Sequence, residues 1–396
     1  MQAVILAAGE GTRTYPLTLT RPKPLLTFAN KTIIEHNLEQ LQGLITEAII
    51  IIGYKGEMIK EKIGNSFGDI KITYIEQREQ LGPGHALMQA RDLITGRFMV
   101  INGDDVYSKE DLKRCLSHHY AVLGQKVKDP ENFGVFILKE ENKVKKIIEK
   151  PKEFVSDLAN TGVYVFDKKI FDFELEKTER NEYEITDYVT ELAKNNEVYC
   201  ETVKDYWFSV QFSWDLLDVN KFFVDRIKKT IKKGKIERGC RIHGKLILGK
   251  GSVMLSGTYI EGNVIIGENC KIGPNCYIRG STSIGDNCRI GQAVEVKNII
   301  LMNGSKIPHL SYIGDSVIGE KVNIGAGTIT GNLRHDDADI KSMVRGELVD
   351  SRRRKFGTII GDNVHTGVDT QIYPGRKIWP GKSTVPGEVV KKDIMD

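Results

Sequence analysis

The chain has 396 residues, 40% hydrophobic and 28% charged, with a formal net charge of +4. These values suit a globular protein of two or three domains, and a charge this small gives no argument for nucleic-acid binding. No apolar run approaches the roughly 18 to 20 residues of a membrane-spanning helix, and the apolar N-terminus lacks the basic lead-in of a signal peptide.

In chain order, Gln2–Ala8, Ala48–Tyr54, Ile72–Gln77 and Phe98–Gly103 read as buried strands. Ile33–Leu41 between them carries Ile34, Leu38 and Leu41 at helical spacing. This alternation predicts an α/β domain on a mostly parallel sheet covered on both faces. The first strand runs into Gly9-Glu10-Gly11-Thr12-Arg13, followed by Lys23-Pro24-Leu25. A glycine-rich turn between strand and helix lets backbone N–H groups approach phosphate oxygens, and Arg13 and Lys23 add positive charge for a triphosphate. Phe222–Lys235 reads as a basic amphipathic helix leading out of this half. The domain boundary is expected at residues 228/229.

The pattern then changes. Ile260, Ile266, Ile272, Ile278, Ile284, Ile290 and Val296 recur every six residues; Ile318 and Ile324 resume the spacing, as do Ile360, Thr366, Ile372, Ile378 and Thr384. A period of six fits a coil of three short strands per turn, with Gly and Asn at corners needing positive φ. The rhythm breaks between Val296 and Ile318, around His309. Breaks in a solenoid are where function collects, so His309 is a candidate general base. The six cysteines include no CxxC pair and read as reduced small fillers of a cytosolic protein.

On the GxGTR and KPL segments, together with Gln80-Leu81-Gly82-Pro83-Gly84-His85-Ala86, Asn102-Gly103-Asp104, Glu149-Lys150-Pro151, Asn160-Thr161-Gly162 and Glu184-Ile185-Thr186-Asp187, the first half resembles the sugar-1-phosphate nucleotidyltransferases. The resemblance implies a Rossmann-like fold over roughly residues 1–225, with UTP or dTTP and a sugar-1-phosphate as substrates. It also implies that Arg13 and Lys23 act on the phosphates, that Gly9, Gly11, Thr12, Gln80 and Gly82 bind nucleotide, and that Asp104 holds Mg²⁺. Glu149, Lys150, Asn160 and Thr161 would contact the sugar-phosphate. The family's second metal ligand falls on Ser209, and its GTGHA loop carries Pro83.

On His309-Leu310-Ser311-Tyr312-Ile313-Gly314-Asp315 and Val322-Asn323-Ile324-Gly325-Ala326-Gly327-Thr328, the second half is similar to the acetyltransferase domain of bifunctional glucosamine-1-phosphate acetyltransferase/N-acetylglucosamine-1-phosphate uridyltransferases. That implies a left-handed parallel β-helix, a homotrimer, and acetyl-CoA as co-substrate. His309 is then the base, Arg279, Lys297, Tyr312 and Asn323 bind an amino-sugar phosphate, and Ala326 and Asn332 meet the acetyl donor. The family's lysine six residues beyond Asn332 is here Ala338, with Lys341 the nearest replacement. Three other readings stay open: an acetyltransferase with an inactive first domain, a nucleotidyltransferase whose coil only trimerises it, and a non-catalytic regulatory subunit.

Overall fold

A computed structural model describes residues 1–395. Contacts divide it into two compact units. The first holds Met1–Glu10, Pro22–Leu25 and Ile33–Ser209; the second holds Gly11–Arg21, Leu26–Thr32 and Val210–Asp396.

In the first unit the strands Phe98–Asn102, Gln2–Ala7, Glu47–Ile52 and Ile70–Glu76 lie side by side in that order and run parallel. Their apolar runs are continuous because both faces are covered. Val4, Ile49, Ile51 and Val100 pack into one core, while Ala3, Ile5, Ile50, Met99 and Ile101 pack into the other. The helix Ile33–Leu41 buries Ile34, Leu38 and Leu41 as its spacing predicts. The sheet is more mixed than the sequence implies. Leu158–Phe166 pairs antiparallel with Phe98–Asn102, and Gly134–Leu138 pairs antiparallel with Val144–Glu149. Such pairs need only short connections, whereas parallel neighbours need a crossover. Strand order reverses between Gln2–Ala7 and Phe98–Asn102, so the crevice at their carboxyl ends is the place where α/β sheets bind ligands.

The second unit is a left-handed parallel β-helix of three sheets, with eight, five and eight strands. Ile260, Ile266, Ile272, Ile278, Ile284, Ile290 and Val296 all point inward with no exposure. Corners recur with the same period. Asn269, Asn275, Ser281, Asn287 and Ala293 all have φ between 52° and 59°, a left-handed conformation that Asn tolerates best among non-glycine residues. The expected helix Phe222–Lys235 ends early. Helix Asp215–Asp225 stops at Arg226, and Ile231–Lys232 and Lys235–Ile236 are already coil strands with their lysines exposed. Gly234 between them tolerates no larger residue, because a Cβ there would lie 2.4 Å from the Ser252 carbonyl oxygen.

The break around His309 is a shortening and not an excursion. Ile284 pairs with Leu301, Ile290 with Ile307, Val296 with Ile313 and Leu301 with Ile318, each rung one residue short of eighteen, and the stack continues. The excursion lies later. Ile318 pairs with Ile360, and the intervening chain carries an antiparallel hairpin, Lys341–Val344 with Glu347–Asp350.

Within this unit the segment Gly11–Arg21 is fastened to the coil. Arg21, buried, donates to Glu320 Oε1 at 2.8 Å and Asp362 Oδ2 at 2.5 Å, and Thr20 Oγ1 donates to the same Asp362 oxygen at 2.6 Å. The fully buried Lys377 donates to the carbonyls of Tyr15 at 3.1 Å and Met343 at 2.7 Å, and burial lowers its ammonium to about 8. Removing one member of a buried ion cluster strands the remaining charge. Arg21→Met is therefore expected to destabilise the coil by about 3–5 kcal/mol, read as a fall in the urea midpoint at constant slope.

Candidate active sites

In the first unit Asp104 lies just beyond the end of strand Phe98–Asn102. Lys23 Nζ donates to its Oδ2 at 2.6 Å, with the lysine nearly buried and the carboxylate 38% exposed, so one face of Asp104 stays open. Next to it, Asp105 opens the short strand Asp105–Tyr107 and is register-paired with Ser209. Burial first, and then the charge of Asp104, push the Asp105 carboxyl up to about 7, opposed by Lys23, Ser209 and the Trp207 indole, whose Nε1 donates to it at 3.4 Å. Asn37, on the inner face of helix Ile33–Leu41, donates to the Asp105 carbonyl at 2.7 Å and fixes the strand. Asp104, with one face open, is the carboxylate here that suits a hard divalent cation. Mg²⁺ commonly takes one or two carboxylates and completes its shell with water and substrate phosphates. Among the described residues no group of three or more His, Cys, Asp or Glu side chains could hold a metal.

The loop Gln80–Gly84 packs against the backbone of Tyr183. Gly84 N donates to Tyr183 O and Tyr183 N to Leu81 O, both at 2.8 Å. Gly82, at φ +93°, could carry no Cβ, which would lie 2.7 Å from Tyr183 O. Pro83 opens the helix Pro83–Met88, where a missing N–H costs no intrahelical bond. Gln80 Nε2 donates to Ala8 O at 3.0 Å, tying this loop to the end of the first strand.

Glu149 lies in an acidic group with Glu182, Glu184 and Asp187, where Arg180 is the balancing cation, 3.6 Å from Glu149 and 3.9 Å from Glu182 and bonded to Glu184. Burial raises Glu149 and lifts Glu184 to about 7. Lys150 is exposed in a left-handed conformation. Asn160 engages Tyr164 Oη at 2.6 Å. Thr161 is fully buried and its hydroxyl donates to Leu123 O at 2.9 Å, so in this conformation it holds a strand together and does not face a ligand.

The rest of the glycine-rich turn, from Gly11 on, belongs to the second unit. Gly11, at φ +69°, points its carbonyl inward, where Thr14 N (3.0 Å), Thr14 Oγ1 (2.7 Å) and Thr18 Oγ1 (2.7 Å) all donate to it. Arg13 Nη1 donates to Gln211 Oε1 at 3.2 Å.

On the coil, Arg279 and Lys297 are register partners on successive rungs of one sheet, and Tyr312 stands on the next. Asn332 Nδ2 donates to Tyr312 Oη at 3.1 Å and to Asp315 Oδ2 at 2.6 Å, and Lys297 lies 3.9 Å from the same carboxylate oxygen. Burial lowers the Lys297 ammonium; Asp315 opposes this, and Lys355 and Arg279 lower it further. Lys355 thus completes a three-cation cluster that spacing could not reveal. It returns from the hairpin excursion and bridges to Leu333. Lys341, the expected replacement, instead opens the hairpin opposite Asp350. His309 is exposed on the neighbouring sheet, paired with Gln292, and its carbonyl accepts from Ser311 Oγ at 2.7 Å. Asn323 bridges Lys306 and His365, and Ala326 O accepts from Asp369 N at 2.7 Å. The structure therefore groups Arg279, Lys297, Tyr312 and Asn332, and sets His309 and Asn323 along an adjoining part of the coil.

A doubly covered α/β unit with a carboxylate–lysine pair at its switch point, in one chain with a hexapeptide coil bearing a cation cluster, defines a two-part transferase of the sugar-nucleotide class. The chain belongs to the family of bifunctional sugar-1-phosphate nucleotidylyltransferases/acetyltransferases. Residues 2–226 match the nucleotidyl transferase family model and residues 260–394 the GMPPB C-terminal domain. The chain is 43% identical to the bifunctional protein GlmU of Methanocaldococcus jannaschii over 97% of this chain and 94% of that protein. It is 38% identical to the bifunctional sugar-1-phosphate nucleotidylyltransferase/acetyltransferase of Sulfurisphaera tokodaii over 100% and 98%. A solved Bacillus anthracis structure, described as a glucose-1-phosphate thymidylyltransferase, superposes with TM-score 0.52 and 31% identity over 59% of this chain and 98% of its own.

The charge of Asp104 helps hold Asp105 protonated. Asp104→Asn should therefore lower the Asp105 pKa toward the ordinary carboxylate range, a shift that carboxyl-carbon NMR titration will read.

Proposed function

We propose that the first half transfers a nucleotidyl group from UTP or dTTP to a sugar-1-phosphate with release of pyrophosphate, and that the coil transfers acetyl from acetyl-CoA to the amine of an amino-sugar-1-phosphate. The observation that carries this reading is the Lys23–Asp104 pair at 2.6 Å, at the end of the strand beside the switch point. In-line attack of one phosphate on another demands positioning and charge neutralisation and no covalent nucleophile. Arg13 and Lys23 supply fixed positive charge to the triphosphate. Gly9, Gly11 and Thr12 offer backbone and hydroxyl donors, and Gln80 and Gly82 form the base-side wall. Asp104, with one face open, is the group suited to Mg²⁺, which when bound would neutralise phosphate charge. Glu149, Lys150 and Asn160 are assigned to the sugar-phosphate. Asp105, its carboxyl raised to about 7 by burial, stands beside Ser209 on the paired strand and adjoins Asp104.

On the coil, Arg279, Lys297 and Lys355 hold the acceptor phosphate, with Tyr312 and Asn323 on the sugar. His309 takes the proton from the acceptor amine as its nitrogen attacks the thioester carbon and coenzyme A leaves as the thiol. Asn332 and Ala326 orient the donor. A homotrimer with acceptor and donor sites between neighbouring coils is the assembly assigned here, since flat β-helix faces pack side by side. The free cysteines suit a reducing, cytosolic setting. Among the described residues no helix is long and apolar enough to cross a membrane.

Pyrophosphate and coenzyme A thiol release, followed in purified protein with a panel of nucleoside triphosphates and sugar-1-phosphates, tests both halves. His309→Ala should slow thiol release by about 10² to 10⁴ while leaving pyrophosphate release unchanged. Equal thiol release by wild type and variant from about pH 6 to 9 would remove His309 from the chemistry. Lys355→Ala should raise the acceptor KM by roughly tenfold, the loss expected for one charged hydrogen bond to a phosphate, with a smaller effect on acetyl-CoA.

A further inference from the structure

The hairpin Lys341–Val344/Glu347–Asp350 turns through Arg345 and Gly346 alone, and both have positive φ, +50° and +87°. Asn, Asp and Gly normally occupy the first of these positions, and an arginine held there is a local strain of the kind that collects at functional sites. The hairpin is also held rigidly. Ser342 Oγ donates to Gly375 O at 2.8 Å, Arg376 Nη2 to Lys341 O at 2.8 Å and Lys377 Nζ to Met343 O at 2.7 Å. The same Lys377 ammonium donates to Tyr15 O, so one buried cation holds both the hairpin and the segment that follows the glycine-rich turn.

At the tip, Arg345 Nε donates to Thr12 Oγ1 at 2.7 Å and its Nη2 donates to the same oxygen. The guanidinium is exposed and, among the described residues, pairs with a neutral hydroxyl and with no carboxylate. A forked cation laid on Thr12 of the Gly11–Arg13 turn has the geometry and the spare donors that recognise a phosphate chain bidentately.

We propose that Arg345, delivered by the coil's hairpin to the Gly11–Arg13 turn, is a phosphate-binding residue for the nucleoside triphosphate. This rests on the nucleotidyltransferase reading above. In full-length protein, Arg345→Ala is expected to raise the nucleoside triphosphate KM roughly tenfold. The sugar-1-phosphate KM and acetyl transfer should stay unchanged, the latter confirming that the coil is folded. Arg345→Lys should fall between the two, because it keeps the charge and loses the fork. A Thr12→Val background separates direct from indirect action. If Arg345 touches the triphosphate, adding Arg345→Ala there still raises the KM; if it only props Thr12, the second substitution adds nothing and the proposal is overturned. An unchanged KM in Arg345→Ala, with Arg13→Ala impaired, overturns the Arg345 assignment alone. A wild type inert with every triphosphate overturns the nucleotidyltransferase reading, and the assignment with it.

Discussion

The structure depends on a left-handed corner that returns every sixth residue. Each corner forces the chain to turn, and each turn brings the next aliphatic side chain onto the one below it, so backbone strain and core packing are satisfied by the same spacing. Because the rungs are in register, residues 17 or 18 apart become neighbours. That is how Arg279, Lys297 and Tyr312, scattered in sequence, become a single face. It is also why shortening a rung by one residue, as between Val296 and Leu301, passes through the stack without unseating the core.

The two halves place charge differently. In the sheet unit, ionisable groups gather where strand order reverses. A carboxylate, a lysine and a second carboxyl, raised to about 7 by burial and by its charged neighbour, lie together there. On the coil, cations gather along a column of equivalent positions, with Glu295 beside Arg279 and Asp315 beside Lys297. The first arrangement suits a metal-assisted displacement, and the second suits holding an anion while chemistry occurs elsewhere on it.

Much of this was legible in the residues. The period of six specified the coil because no helix or hairpin shares it, and the buried runs of the first half announced a sheet covered on both faces. The glycine-rich turn followed from local spacing, and Asp104 from the resemblance to the sugar-1-phosphate nucleotidyltransferases. What escaped notice depends on contacts across rungs or strands. Asp105 carries no signal of its own in the sequence, and only strand pairing sets it against Ser209. Lys355 was hidden in a basic run, because only the closed excursion returns it to Lys297. Arg345 carried no sequence signal at all, since a hairpin tip gains meaning from what it touches. Phe222–Lys235 misled for the opposite reason: lysines on the outer side of coil strands imitate the polar face of a helix.

The hairpin excursion also bears on how the chain reaches its fold. Elsewhere a rung closes a loop of about one coil turn, but Ile318 must find Ile360 across 42 positions. Loop-closure entropy grows only with the logarithm of length, about 0.6 kcal/mol per doubling, so this longer search costs less than the burial of a single methylene. A solenoid therefore accepts a functional arm at almost any rung with little thermodynamic penalty, and what limits such additions is whether the arm can be tied down once it has grown. Here Lys377, gripping two backbone carbonyls, shares that task with Ser342 and Arg376.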